Sequence, residues 1–243
     1  QSGSATITVT VSDGAAVNST VTQTFNVTVV AVNDPPTISA ISNVSVNEDA
    51  AAFTVNLTGI TAGPNESQTL TVTASSSNTT LIPAPVVSYT SPATTGTLTL
   101  TPAANQYGTS VITVTVNDGQ ATNNITTATF TVTVNSINDP PTLDALSNLS
   151  ISESATTQTV NLTGISAGPN ESQVLTITAV SSNTGLIPTP TVTYTSPAAT
   201  GTIQFAPVAY ANGSADITVT VSDGSLTLSR AFTVTVVPVN NAP

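Results

Sequence analysis

Apolar and polar residues alternate along much of the chain. In "VITVTVND" (111–118) Ile112, Val114 and Val116 fall on one face while Thr113 and Thr115 fall on the other; "TFTVTV" (129–134) repeats the pattern with Phe130, Val132 and Val134. A period of two is that of a β-strand with one buried face. No segment carries a helical period, and clusters of Gly, Pro, Asn and Ser cut the alternation into short pieces. Strands are predicted near 42–47, 51–57, 68–74, 85–90, 96–101, 110–117 and 125–134. About seven short alternating strands in roughly 100 residues predict an all-β fold, a seven-stranded antiparallel β-sandwich. The Val and Thr content suits it, because β-branched side chains pack well on a pleated surface.

The same pattern then returns. Asn33 and Asn138 stand 105 positions apart, and the same offset carries Glu48 onto Glu153, Glu66 onto Glu171, Asp13 onto Asp118 and Asp118 onto Asp223. "NLTGITAGPNESQTLTVTASSSNT" (56–79) reappears as "NLTGISAGPNESQVLTITAVSSNT" (161–184). The sequence therefore divides into residues 1–33, matching only the last two strands of a repeat, and two whole sandwiches at 34–138 and 139–243, a head-to-tail array. A lone hairpin is marginal in water, so the apolar face of the first piece (Ile7, Val9, Val11, Phe25, Val27, Val29) needs a cover. Two covers are conceivable, the earlier strands of a longer array or strand exchange with an identical chain in a filament. The array is the favoured expectation.

Composition removes whole classes of function. With no His and no Cys, the 243 residues cannot build a Ser-His-Asp or Cys-His nucleophile, a thiolate or imidazole metal site, or a disulfide. No enzyme is expected. Arg230 is the one basic residue, too little to neutralise a nucleic-acid backbone, and no apolar run approaches a membrane span. Twelve acids give a formal net charge of −11. The metal chemistry left is oxygen ligation of a hard cation such as calcium.

The acids gather where repeats would meet. With strands lettered A to G, the sandwich topology puts the B–C and F–G loops at the end where the chain enters and the A–B and E–F loops where it leaves. Glu48 lies in the A–B loop, Asn65 and Glu66 in the B–C loop, Asp118 in the F–G loop, and Asn138 and Asp139 in the linker "INDPP". Carboxylates clustered without basic partners repel one another unless a cation is present. The alternative needs no metal. Asn-Asp-Pro-Pro stiffens a linker and ends a strand, and Asp-Gly is ordinary turn chemistry.

The run "ITVTVNDG…TFTVTVNSINDPP" resembles the end of a cadherin-type repeat, and the module as a whole resembles the cadherin-like and immunoglobulin-like tandem repeats of large bacterial surface proteins and adhesins. The resemblance implies calcium at each junction. Glu48 would match the A–B ligand, Asn138 and Asp139 the linker, Asn170 and Glu171 the B–C loop, and Asp223 the F–G ligand; Asn33, Asp34, Glu66 and Asp118 are their counterparts one repeat earlier. The E–F loop "AANQYGT" has no acid and the B–C loop offers one carboxylate, which implies a single ion instead of a cluster. Calcium should be weaker at 33–34, which lacks an upstream Glu in this sequence, and at Asn240 and Asn241, where Asn replaces the Asp.

The expected function is that of a structural, extracellular or cell-surface rod, stalk or filament segment. Its partners would be other repeats of a long chain and a cell-surface or matrix target. The alternative is a module that binds sugar or protein at a loop tip. Tyr89 and Tyr194, repeated in "SYTSP" and "TYTSP", are expected to pack in the sandwich; the sequons at Asn43, Asn78, Asn148 and elsewhere arise readily by chance in so Asn- and Thr-rich a chain.

Overall fold

The computed structural model describes residues 2–18 and 20–240, which form sixteen strands; none of these residues is helical, so no helix is long and apolar enough to cross a membrane. The chain falls into two compact units, Gln1–Asn135 and Ser136–Pro243.

In the first unit seven strands make a sandwich: β3 (Val44–Asn47), β4 (Phe53–Thr58), β5 (Thr71–Ser76), β6 (Val86–Ser88), β7 (Thr95–Leu100), β8 (Gly108–Asn117) and β9 (Ile125–Asn135). They form a four-stranded sheet ordered β3-β9-β8-β5 and a three-stranded sheet ordered β4-β7-β6. Every pairing is antiparallel except β3 with β9, which run parallel from Val44↔Val132 to Asn47↔Asn135. Hydrophobic alternation does not reveal that parallel pair. With its first and last strands pointing the same way, each module is entered at one end and left at the other. Asn43 pins the start of β3, its Oδ1 accepting from Thr131 N at 2.8 Å, and Asn148 does the same with Thr233 N at 2.9 Å.

The alternating residues meet between the sheets. Ile112, Val114, Val116, Phe130, Val132 and Val134 from β8 and β9 are buried against Leu57, Leu98 and Leu100 from β4 and β7. The core is closed by Leu81 and Ile82, held in a turn whose backbone bonds return to Asn78. Thr side chains take most of the outward positions of β8 and β9, as in Thr113↔Thr129 and Thr115↔Thr127. Tyr89 and Tyr194 pack against the two cores, and a Cβ at Gly96 or Gly201 would stand 3.2 Å from Cδ2 of the adjacent ring.

The second unit repeats the plan with β10 (Leu149–Ser152), β11 (Gln158–Leu162), β12 (Thr176–Ser181), β13 (Thr191–Thr193), β14 (Gly201–Phe205), β15 (Gly213–Ser222) and β16 (Thr227–Val237), in sheets β10-β16-β15-β12 and β11-β14-β13. Here Phe205 stands where the first module has Leu100, and its ring meets that of Phe232 at 6.3 Å between centroids. The residues before the first module form a separate hairpin of β1 (Gly3–Ser12) and β2 (Thr20–Val29), exposed along its length. Eleven of the twelve acids lie outside strands; the exception is Asp216 in β15, which accepts a bond from Thr233 Oγ1 at 2.7 Å.

Candidate functional site

At the entering end of each module the linker is seated on two loops. In the first unit the F–G loop acid Asp118 is buried, although an Asp-Gly turn would normally face water. Its Oδ1 accepts from Gln120 N at 2.9 Å and its Oδ2 from the linker amide Asn33 Nδ2 at 3.0 Å. Asn33 Nδ2 also donates to Thr122 O, and Asn123 Nδ2 returns a bond to Asn33 O at 3.1 Å. On the other side Gln68 Nε2 bridges Asn33 Oδ1, at 3.0 Å, and Glu66 Oε2. Asp34 N donates to Glu66 Oε1 at 2.9 Å.

The second unit builds the same clasp. Asn138 Nδ2 donates to Asp223 Oδ2 at 2.9 Å, Gln173 Nε2 donates to Asn138 Oδ1 at 2.6 Å and to Glu171 Oε2, and Asp139 N donates to Glu171 Oε1 at 3.3 Å. Two backbone groups, Ser225 N and Leu226 N, meet Asp223 Oδ1. The Leu226 and Ser225 amides and the Asn138 side chain favour the ionised form, so the Asp223 carboxyl titrates below its ordinary 3.8 although burial opposes the shift.

Glycine lets the linker approach. Gly168 has φ +131°, and a Cβ there would lie 2.9 Å from Asp139 Cβ; a Cβ on Gly63, at φ +119°, would lie 3.2 Å from Asp34 Cβ. Asn65 and Asn170, beside them at the B–C loop tips, take the left-handed conformation with φ 61° and 56°.

Sorted by place, Asn33, Asp34, Glu66 and Asp118 come together in the first unit, and Asn138, Asp139, Glu171 and Asp223 in the second; Asn170 is exposed at its loop tip. Glu48 is buried at the opposite, leaving end of the first sandwich, where its N–H donates to Asn135 O at 2.9 Å, and Glu153 takes the equivalent place beside Val237. Asn240 is exposed, and Asn241 lies outside the described residues.

Sequence reasoning missed Gln68 and Gln173, the amides that tie acid to linker. The available signal was their recurrence in "GPNESQ". Both carry a buried Oε1 that accepts no hydrogen bond.

Among the described residues no three carboxylates gather around one point. The donor set is nonetheless of the kind calcium takes, carboxylate and amide oxygens without nitrogen or sulfur ligands. An open pocket of about 420 Å³ is lined by Asn33, Glu66, Gln68 and Gln120, and the unsatisfied Gln68 Oε1 is an oxygen that a cation would satisfy. The lining residues whose oxygens would hold such an ion in the first unit are Glu66, Asn33 and Gln68, with Asp118 bonded to the Asn33 amide beside them. Loading would require at least one amide to turn its oxygen toward the acids.

Residues 33–135 match the bacterial Ig domain family. No curated protein matches the chain in sequence. Among solved structures, the chain is similar to titin domains Z1Z2 in complex with telethonin (12% identity, TM-score 0.38, 86% of this chain and 100% of that one). It is also similar to the human desmocollin-1 ectodomain (14%, TM-score 0.48, 98% and 47%) and to an endo-fucoidan hydrolase of glycoside hydrolase family 107 (16%, TM-score 0.35, 99% and 34%). It thus spans about half of the desmocollin chain and a third of the hydrolase, and these likenesses are of fold alone.

Proposed function

Taking as premise a chain of tandem immunoglobulin-like and cadherin-like repeats, its first whole module of the bacterial Ig domain family, we propose that it is a structural segment of an extracellular rod, stalk or filament in a surface protein or adhesin, with calcium-stiffened junctions. Bacterial Ig domains typically occur in surface proteins and are generally non-enzymatic. The supporting observation is the placement of charge: eleven of twelve acids lie outside strands, and the same acid-and-amide clasp is rebuilt at the entering end of both modules. Neutral flanks and acidic ends suit a chain whose contacts are made end to end. Stability in such arrays is a sum of modules and interfaces, so stiffness is tuned at the joints.

The role of the ion follows from the donors. Asn138, Asp139, Glu171 and Asp223 would hold it, with Glu48 as the further ligand that the resemblance implies, and an ion bound to linker and loops together would stiffen the linker. Extracellular modules bind calcium with Kd of roughly 0.1 to 1 mM. Titration calorimetry with calcium and then a chelator tests this, with solution scattering to read the length. Heat of binding, a higher Tm and a longer particle are expected, and Asp139→Ala with Glu48→Ala should remove all three while both sandwiches stay folded. Neither heat nor a melting shift would leave a rod stiffened by its prolines and amide clasps alone.

A further inference from the structure

Each sandwich carries an uncharged groove on its three-stranded sheet. In the second unit it is an open cavity of about 620 Å³ whose lining includes Asn161, Thr193, Tyr194, Thr200 and Thr202. In the first unit it is one of about 460 Å³ at Asn56, Ser88, Thr95 and Thr97, the same positions 105 residues earlier. No lining residue of either groove is charged. Asn161 stands opposite Thr202, and Thr202 opposite Thr193, so an amide and two hydroxyls form one row across β11, β14 and β13. Their neighbours Leu162, Ile203 and Val192 turn into the core, which leaves this row on the outer face. In the first unit Asn56, Thr97 and Ser88 make the same row beside Leu57, Leu98 and Val87. Strands about 4.8 Å apart give the row a span of about 10 Å, close to the length of two linked pyranose rings.

The chemistry of these groups selects a class of ligand. A hydroxyl both donates and accepts, and so does a carboxamide, so the row matches neighbouring hydroxyls that do the same. Thr163 Oγ1, in the same lining, donates to Asp144 Oδ2 at 2.8 Å and so offers its oxygen as an acceptor. That carboxylate and a net charge of −11 disfavour an anionic ligand. Ala198 and the bare backbone of Gly201 add apolar surface for the C–H face of a sugar. Tyr194 brings an unused polar group: its hydroxyl is buried and makes no hydrogen bond among the described residues, and Tyr89 repeats this in the first unit. The hydroxyl is shielded from solvent, so a ligand reaches it by displacing the ring, which packs at the margin of the core.

We propose that the three-stranded sheet of each module is a binding site for a neutral saccharide, on the flank of the sandwich. Asn161, Thr202 and Thr193 hydrogen-bond its ring hydroxyls in the second unit, Asn56, Thr97 and Ser88 in the first, and the Tyr194 hydroxyl gains a partner. Both volumes lie within the roughly 300–1,000 Å³ typical of small-ligand sites. The inference is independent of the rod and of calcium, whose proposed ligands lie in the linker and loops.

The test applies the full chain to an array of neutral mannose-, glucose-, galactose- and N-acetylhexosamine-based oligosaccharides, with sulfated and uronic oligosaccharides beside them. Retained compounds are then titrated by calorimetry in the presence of a chelator. Saturable binding of a neutral oligosaccharide at two sites per chain, with a change in tyrosine fluorescence, is the expected result. Asn161→Ala with Thr202→Val should reduce the two sites to one, and adding Asn56→Ala with Thr97→Val should remove binding, while urea unfolding shows both sandwiches still folded. Tyr194→Phe should weaken the second-unit site about tenfold, the loss of one hydrogen bond. Retention of no neutral oligosaccharide overturns the proposal, as does tighter binding of the anionic set. Binding that survives the fourfold variant would place the ligand elsewhere on the chain, and binding that needs calcium would place it at the linker clasp; either result overturns the assignment to the sheet.

Discussion

Gly168→Ala is expected to unseat the linker of the second module, and Gly213→Ala supplies its control. Both glycines have φ +131°, so both alanines suffer the same backbone strain, on the order of 1–3 kcal/mol. The surroundings differ. A Cβ at 213 meets nothing closer than Leu186 Cδ2 at 3.8 Å, an ordinary contact, whereas at 168 it would lie 2.9 Å from Asp139 Cβ and 3.2 Å from Glu171 Cγ. Something must move, and those two residues are joined by the Asp139 N–H donating to Glu171 Oε1. A hydrogen bond to a charged acceptor contributes about 1.5–3 kcal/mol, and the 3.3 Å length puts this one at the lower end. Gly168→Ala should therefore cost about 1–2 kcal/mol more than Gly213→Ala, a further fall of roughly 4–10 °C in the Tm of a unit this size. Urea and thermal unfolding of the full chain measure both. Equal losses at the two positions would refute the seating of the linker on the B–C loop.

Tyr210 holds φ +63° while 74% exposed, a conformation costly for a bulky side chain, and the first module has Asn105 at that place, at φ 55°. Tyr210→Asn should raise the stability of the second unit by about 1 kcal/mol, read as a higher Tm; no gain would mean that the ring makes up for the strain. Phe130→Ala should cost the first unit about 3–5 kcal/mol, whereas Phe25→Ala, at the same register in the exposed hairpin, should change chain stability by less than about 0.5 kcal/mol in urea unfolding. Because the folded Asp223 carboxyl titrates below 3.8, its contribution is fully present above that pH and is lost as pH falls through the lower folded value. Urea midpoints of the second unit should decline on acidification through that window, and Asn138→Ala, which removes one cause of the shift, should flatten the decline.

The sandwich was legible because its signal is periodic: all seven strands predicted for the first whole repeat are present, displaced by at most about three residues. The displacements have local causes. Leu70, read as strand, is a buried residue just before β5, its N–H donating to Ser91 Oγ, and the strand predicted at 85–90 ends at Ser88, before Tyr89, which packs on the core. Leu81 and Ile82 reach the core from a turn, where alternation carries no information. The site was legible in its acids and not in its amides. A carboxylate stands out in a chain with 5% charged residues, but Gln68 is one neutral residue in a stretch of Asn, Ser and Gln, and its position beside both Glu66 and Asn33 exists only once strand, loop and linker are brought together. Burial of Asp118 was hidden for the same reason, since the group that makes it tolerable, Asn33, is 85 residues away.

The two copies have not drifted evenly, and the unevenness indicates where the structure is constrained. At the entering end every clasp residue is retained: Asn33 and Asn138, Glu66 and Glu171, Gln68 and Gln173, Asp118 and Asp223. The F–G loop has lost three residues in the second copy, yet Asp223 still receives two backbone N–H groups and the linker amide. At the leaving end the first module ties its A–B and E–F loops through Asn105 N donating to Asp49 Oδ1 at 2.9 Å, while the second has Ser154 and Tyr210 at those positions. In both copies the acid serves its own turn through Oδ1 and the linker amide through Oδ2. The retained element is the grip of each module on the linker that precedes it, so a linker and the module after it form one folded piece.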